Sequence, residues 1–173
     1  MPASKRFAAL DTSFLLYLAA GDEDCETVVD WLVSNNIYPL VTGTVLQELA
    51  DIEQNDPDPF NRGNAREVET NISTWGFLSI PLEPTDNGIA KIIASRIVEK
   101  GLLPDENEDD GLVIAEAAIQ NCNMLITYRK VLLDAPFDPL RLLLIEMNVS
   151  DLAIIPPDLI VKYLCPKPTA GEA

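Results

Sequence analysis

Short apolar runs separated by longer amphipathic stretches recur along this chain, and that alternation leaves few folds open. Residues 7–11, 38–42, 77–81 and 124–127 are each four or five residues long and mostly apolar or β-branched. Runs so short and continuous suit strands buried on both faces. Between them, the patterning predicts helices over 14–20, 24–34, 45–54, 60–75, 84–100 and 110–121. In the stretch 84–100, Ile89, Ile92, Ile93, Ala94, Ile97 and Val98 share one face, and Gly101 stands where a left-handed helix end is expected. After a turn at 129–136, a helix over 139–147, a short strand at 153–155 and a helix over 157–164 complete the pattern. Strands alternating with helices predict an α/β protein whose central sheet of four to five strands is mainly parallel.

Composition narrows what such a fold can do. The 173 residues suit one domain over 1–165, followed by a frayed tail at 166–173. No apolar stretch approaches the roughly 20 residues that cross a bilayer. Lys5 and Arg6 precede only Phe7-Ala8-Ala9-Leu10 before Asp11, which is too short for a signal peptide, so a cytoplasmic location is expected. Cys25, Cys122 and Cys165 are odd in number and widely spaced, so they read as ordinary thiols rather than a disulfide or zinc framework. The chain has no histidine, which removes Ser-His-Asp and Cys-His nucleophiles, histidine zinc sites and histidine-pair cleavage of RNA. Carboxylates with a hard metal are the most economical chemistry left. The net charge of −16 is an awkward balance for a nucleic-acid binder. It calls for a basic partner, a locally basic face, or metal ions bridging to phosphate.

Three acids stand where a parallel sheet would gather them. Asp11 ends the first apolar run, Glu48 lies within Val45-Leu46-Gln47-Glu48-Leu49, and Asp110 opens Asp110-Gly111-Leu112-Val113-Ile114-Ala115-Glu116-Ala117. Strand C-terminal ends and helix starts meet in one crevice of such a sheet, where ligands bind. Converging carboxylates suit a hard cation, and Mg²⁺ takes oxygen ligands and works on phosphates. Each acid also has a plainer reading. Asp11 suits a helix N-cap, Glu48 a solvent-facing helix position, and Asp110 an acidic loop favouring a helix dipole. Asp109 shares that turn and competes with Asp110, although the register with Ile114, Ala117 and Thr127 favours Asp110.

The run Leu10-Asp11-Thr12-Ser13-Phe14-Leu15-Leu16 resembles the first motif of PIN domains, and Thr44-Val45-Leu46-Gln47-Glu48-Leu49 resembles their second. The segment from Asp110 to Ala117, followed by Leu125-Ile126-Thr127, is similar to the third and fourth. This resemblance implies a three-layer α/β/α fold and a Mg²⁺- or Mn²⁺-dependent nuclease. RNA is the implied substrate ahead of single-stranded DNA. The resemblance also implies a toxin of a bacterial toxin–antitoxin pair, with an antitoxin protein and a second copy of the chain as partners. Carried over by motif, Asp11, Glu48 and Asp110 are catalytic metal ligands, and Ser13 and Thr127 are polar neighbours on the substrate side.

The departure is at the fourth motif. Family members commonly place an acid two residues after the threonine, and here that position is Arg129. A cation cannot ligate a metal, but it can contact substrate phosphate. Arg129 and the net charge together motivate an alternative, a PIN-like domain without catalysis that acts as a binding or regulatory module. A phosphatase using an aspartyl phosphate is a further rival, and Ser13 stands where such enzymes typically carry a second aspartate. Arg62 and Arg66 share a helix face and could guide RNA, with a solvated pair as the plain reading.

Overall fold

The computed structural model describes residues 4–104 and 107–167, so Asp105, Glu106 and most of the expected tail lie outside the described residues. In chain order the elements are β1 (Arg6–Leu10), α1 (Thr12–Ala19), α2 (Glu23–Ser34), β2 (Ile37–Leu40), α3 (Gly43–Asn55), α4 (Pro59–Asn71) and α5 (Pro84–Glu99). They continue with α6 (Glu108–Ile119), β3 (Cys122–Ile126), α7 (Lys130–Leu133), α8 (Phe137–Glu146), β4 (Ala153–Ile155) and α9 (Pro157–Tyr163). Helix starts follow local side-chain chemistry. The carboxylates of Asp22 and Asp58 accept from the backbone N–H of Cys25 and Phe60 at 3.0 and 2.9 Å, and Asn107 accepts from Asp109 N–H at 3.0 Å.

The sheet has four strands in the order β2-β1-β3-β4, and every pair is parallel. Helices flank it as a three-layer α/β/α sandwich, with α2 packed on α9, α3 packed on α4 and α6, and α6 packed on α5. Its core includes Leu10, Phe14, Leu15, Leu49, Ile93, Ile97, Ile114, Leu125 and Ile126, all without solvent exposure. Cys25 and Cys122 are buried free thiols and Cys165 is half-buried and free.

Two expectations are corrected. The run 77–81 is not a strand but a single bridge, Leu78 beside Leu40. Leu78 N–H donates to Pro39 O and Val41 N–H to Leu78 O, both at 2.8 Å. The ladder stops there because Thr42 turns away as the N-cap of α3, and Pro81 has no N–H to offer. The segment 129–136 is more than a turn, since α7 forms within it.

The strand order places the switch in chain direction at β1, which has β2 on one side and β3 on the other. Asp11 and Thr127 directly follow β1 and β3, and Asp11 N–H donates to Ile126 O at 3.1 Å. Helix α6 runs back along the sheet before β3, so its first turn lies at the same C-terminal edge. Its packing on α5 is close. A Cβ added at Gly111 would lie 3.1 Å from both Cα and O of Ala94, so glycine admits this approach. At the opposite edge, α2, α6 and α8 each end through an asparagine in the left-handed region: Asn36, Asn121 and Asn148, with φ of 55°, 59° and 57°. Asparagine tolerates that conformation better than other side chains except glycine.

Candidate functional site

Asp11 is fully buried at the end of β1, where it caps α1. Its Oδ2 accepts from Ser13 Oγ at 2.9 Å and from Thr127 Oγ1 at 2.8 Å, with Ser13 N–H at 3.4 Å. Each hydroxyl has one proton, and both protons are committed to Asp11. The two oxygens, 3.2 Å apart, therefore act as acceptors elsewhere. Tyr128 N–H donates to Ser13 Oγ at 3.0 Å, and Arg129 N–H donates to Thr127 Oγ1 at 2.9 Å. The backbone beyond β3 thus fixes two hydroxyls, and the hydroxyls fix one carboxylate oxygen. The other, Asp11 Oδ1, is buried and accepts no hydrogen bond from the described residues. Thr127 is itself fully buried, so it acts on Asp11 rather than facing the crevice.

Glu48 reaches the same place from α3. Thr12 Oγ1 donates to its Oε2. Asp110 is buried in the first turn of α6, whereas Asp109 is exposed, so the structure brings Asp110 to the cluster. Between Glu48 and Asp110 lies the guanidinium of Arg129. Its Nη1 is 3.7 Å from Glu48 Oε1, and its Nη2 is ion-paired with Asp110 Oδ1. A crevice of about 350 Å³ opens over this centre, lined by Thr12, Ser13, Leu16, Glu48, Asp51, Ile52 and Arg129. Larger hollows lie away from the three acids.

The donor set is all carboxylate oxygen, with one buried oxygen lacking a partner, which is the chemistry of a hard divalent cation. As the side chains stand, however, no group of three or more Asp, Glu, Cys or His among the described residues is gathered to hold an ion. Arg129 joins Glu48 to Asp110 instead. The donor chemistry fits a divalent ion, and the present arrangement is closed by a cation of the chain's own.

Burial pushes the Glu48 carboxyl above the usual carboxylate range, and the charges on Asp11 and Asp110 add to this. The Thr12 hydroxyl and Arg129 oppose it. A carboxyl raised in the folded state holds its proton more tightly there than in the unfolded chain. Its contribution to stability is present below the ordinary value and is lost as pH rises through the raised one. In metal-free buffer, the stability of Glu48→Gln relative to wild type is therefore expected to grow as pH rises from about 4 to 7. Urea unfolding at several pH values measures it, and a difference independent of pH would contradict the assignment.

Several contributors escaped sequence reasoning. Thr12, the first residue of α1, holds Glu48. Asp51 stands three residues after Glu48 and lines the crevice beside it; helical spacing was the available signal. Glu116 is buried in an otherwise apolar helix and accepts from Thr44 N–H at 3.0 Å and Thr44 Oγ1 at 2.9 Å. It anchors the start of the helix that carries Glu48. Arg66 pairs with Glu53 at 2.8 Å and Arg62 donates to Asp56 O at 2.6 Å, which is the plain reading of that pair.

The chain folds as a four-stranded, all-parallel sheet flanked by helices, with Asp11, Glu48 and Asp110 near its C-terminal edge. No family model matches the chain, and no curated protein sequence matches it significantly. Solved structures share the fold. VapBC2 from Rickettsia felis, bound to a DNA fragment from their promoter, superposes with a TM-score of 0.58 at 14% identity, covering 87% of this chain and 98% of that one. FitAB bound to an IR36 DNA fragment gives 0.55 at 14% identity, covering 87% and 94%.

Proposed function

We propose that this chain is a nuclease of the PIN toxin type that hydrolyses phosphodiester bonds in RNA, with Mg²⁺ or Mn²⁺ held by Asp11, Glu48 and Asp110. The observation that carries this reading is the placement of three carboxylates, from the end of β1, α3 and the first turn of α6, near one sheet edge, with Arg129 between two of them and Asp11 Oδ1 buried without a hydrogen-bond partner among the described residues. When bound, such an ion offsets phosphate charge and activates water. The residues of the chain do the rest. Ser13 and Thr127 hold Asp11 in one orientation, so Oδ1 stays directed away from both hydroxyls. Glu48, whose carboxyl binds a proton more readily than an ordinary glutamate, is the group suited to accept one at Oε1. The crevice beside Glu48 and Arg129 has Leu16 and Ile52 on its apolar side and opens to solvent, where a substrate can enter.

An antitoxin protein is the partner this reading implies, and the excess of 28 acids over 12 bases suits a basic one. No helix among the described residues is long and apolar enough to cross a membrane. A second reading, a binding module without hydrolysis, is favoured by one observation: Arg129 already neutralises part of the centre.

The deciding test incubates structured and single-stranded RNA with the protein and Mn²⁺ or Mg²⁺, beside EDTA controls and Asp11→Asn. The nuclease reading expects cleavage that EDTA abolishes and that falls by roughly a hundredfold or more in Asp11→Asn. Small phosphate monoesters should remain intact, since turnover of those would indicate a phosphatase instead. Absence of both cleavage and Mn²⁺ binding would establish the binding module.

A further inference from the structure

We propose that Arg129 is a resident counter-ion that competes with the divalent metal for Glu48 and Asp110 and so sets the metal affinity of the centre. This rests on the metal-binding reading above and says how the site in this particular chain is tuned. Arg129 is fixed at the crevice rim by its backbone, where its N–H donates to Thr127 Oγ1 at 2.9 Å and it forms the N-cap of α7. Its side chain is 30% exposed while that of Asp110 is 2% exposed. A carboxylate so deeply buried needs a partner for its charge. Arginine supplies one that no accessible pH removes, and its planar fork reaches two acceptors at once. It does so here, with Nη1 toward Glu48 and Nη2 on Asp110. Other lysines and arginines with ion pairs among the described residues engage Glu53, Glu146, Asp134 and Asp151, none of them in the centre.

Glu48 and Asp110, two carboxylates that would otherwise repel one another, are thereby bridged without metal. The oxygens that Arg129 engages belong to two of the three proposed metal ligands. A dication bound through them would face a guanidinium, so loading requires Arg129 to swing out, and its 30% exposure gives it somewhere to go. Asp11 Oδ1, which Arg129 does not engage, is the oxygen left ready for the ion.

The test compares wild type, Arg129→Gln and Arg129→Lys by calorimetric titration with Mn²⁺ alone and by thermal unfolding with and without Mn²⁺. Arg129→Gln is expected to melt lower than wild type without metal, bind Mn²⁺ about tenfold more tightly, and gain more thermal stability from it. Arg129→Lys keeps the charge but cannot fork between two carboxylates, so its affinity should fall between the two. It serves the test alone if the glutamine variant fails to fold. Equal Mn²⁺ affinity and equal thermal shift in wild type and variants would overturn the counter-ion role and leave the metal site standing. Mn²⁺ binding to none of the proteins would overturn both.

Discussion

Glu116→Ala is expected to lower the unfolding free energy by about 3 kcal/mol, because it orphans two buried groups at once, each worth roughly 1–3 kcal/mol. The N-cap residue of α3, Thr42, makes no side-chain cap bond. The carboxylate of Glu116, 72 residues further along the chain, serves that end instead by accepting from both the N–H and the hydroxyl of Thr44. A negative charge at a helix N-terminus also opposes the positive end of the helix dipole. Alanine leaves the N–H and hydroxyl of Thr44 with no acceptor in a buried place. For a chain of this size, the loss corresponds to a fall in melting temperature of roughly 6–12 °C. Glu48 lies one helical turn after Thr44, so loosening this end of α3 should also weaken Mn²⁺ binding. Glu116→Gln keeps one acceptor oxygen and should lose about half as much. Urea unfolding and calorimetry measure both effects, and a loss under 1 kcal/mol in the alanine variant would mean that water caps α3 adequately.

Phe14→Ala is expected to cost more, about 4 kcal/mol, with little effect on ligand binding below the melting range. Phe14 is fully buried on α1, three residues after Asp11. Truncation removes a large apolar surface and leaves a cavity that close-packed neighbours fill only partly. The groups that orient Asp11, namely Ser13 and Thr127, do not include Phe14. Stability and site chemistry should therefore separate, with the midpoint of urea unfolding falling sharply while Mn²⁺ affinity at 10 °C stays within about twofold of wild type. Phe14→Leu, which keeps most of the volume, should cost roughly 1.5 kcal/mol or less. A large fall in Mn²⁺ affinity in the alanine variant at that temperature would show that core packing behind α1 positions the acid.

These two residues also show where sequence reading succeeds and where it stops. The helix that carries Phe14 and the strand before it are legible, because an apolar run and the stretch after it report strand and helix through local pattern. The same holds for Asp11, whose place at a strand end and helix start is written in consecutive residues. The run 77–81 shows the limit of local pattern. Its apolar content matches a strand, but strand formation needs a neighbour with free backbone groups, and β2 offers room for one bridge only. Glu116 and Arg129 depend on partners far away in the chain, so neither partner could be read from spacing. A glutamate within Ala115-Glu116-Ala117 gives no sign of binding Thr44, and an arginine after a strand gives none of lying between two acids. The choice between Asp109 and Asp110 turns on one helical step of about 100°; helical register favours Asp110 in the sequence, and the packing of α6 buries Asp110 while leaving Asp109 exposed.

The three left-handed asparagines have a practical consequence for anyone handling the protein. They belong to turns at the sheet edge remote from the crevice, and a strand of five residues, roughly 16 Å, separates the two edges at β1. Asn35 and Asn36 are both exposed there. A dye or surface tether grafted beside them would point away from the acids, so the molecule could be immobilised by its back and presented open side outward. In that orientation, the crevice would stay open to anything offered from solution.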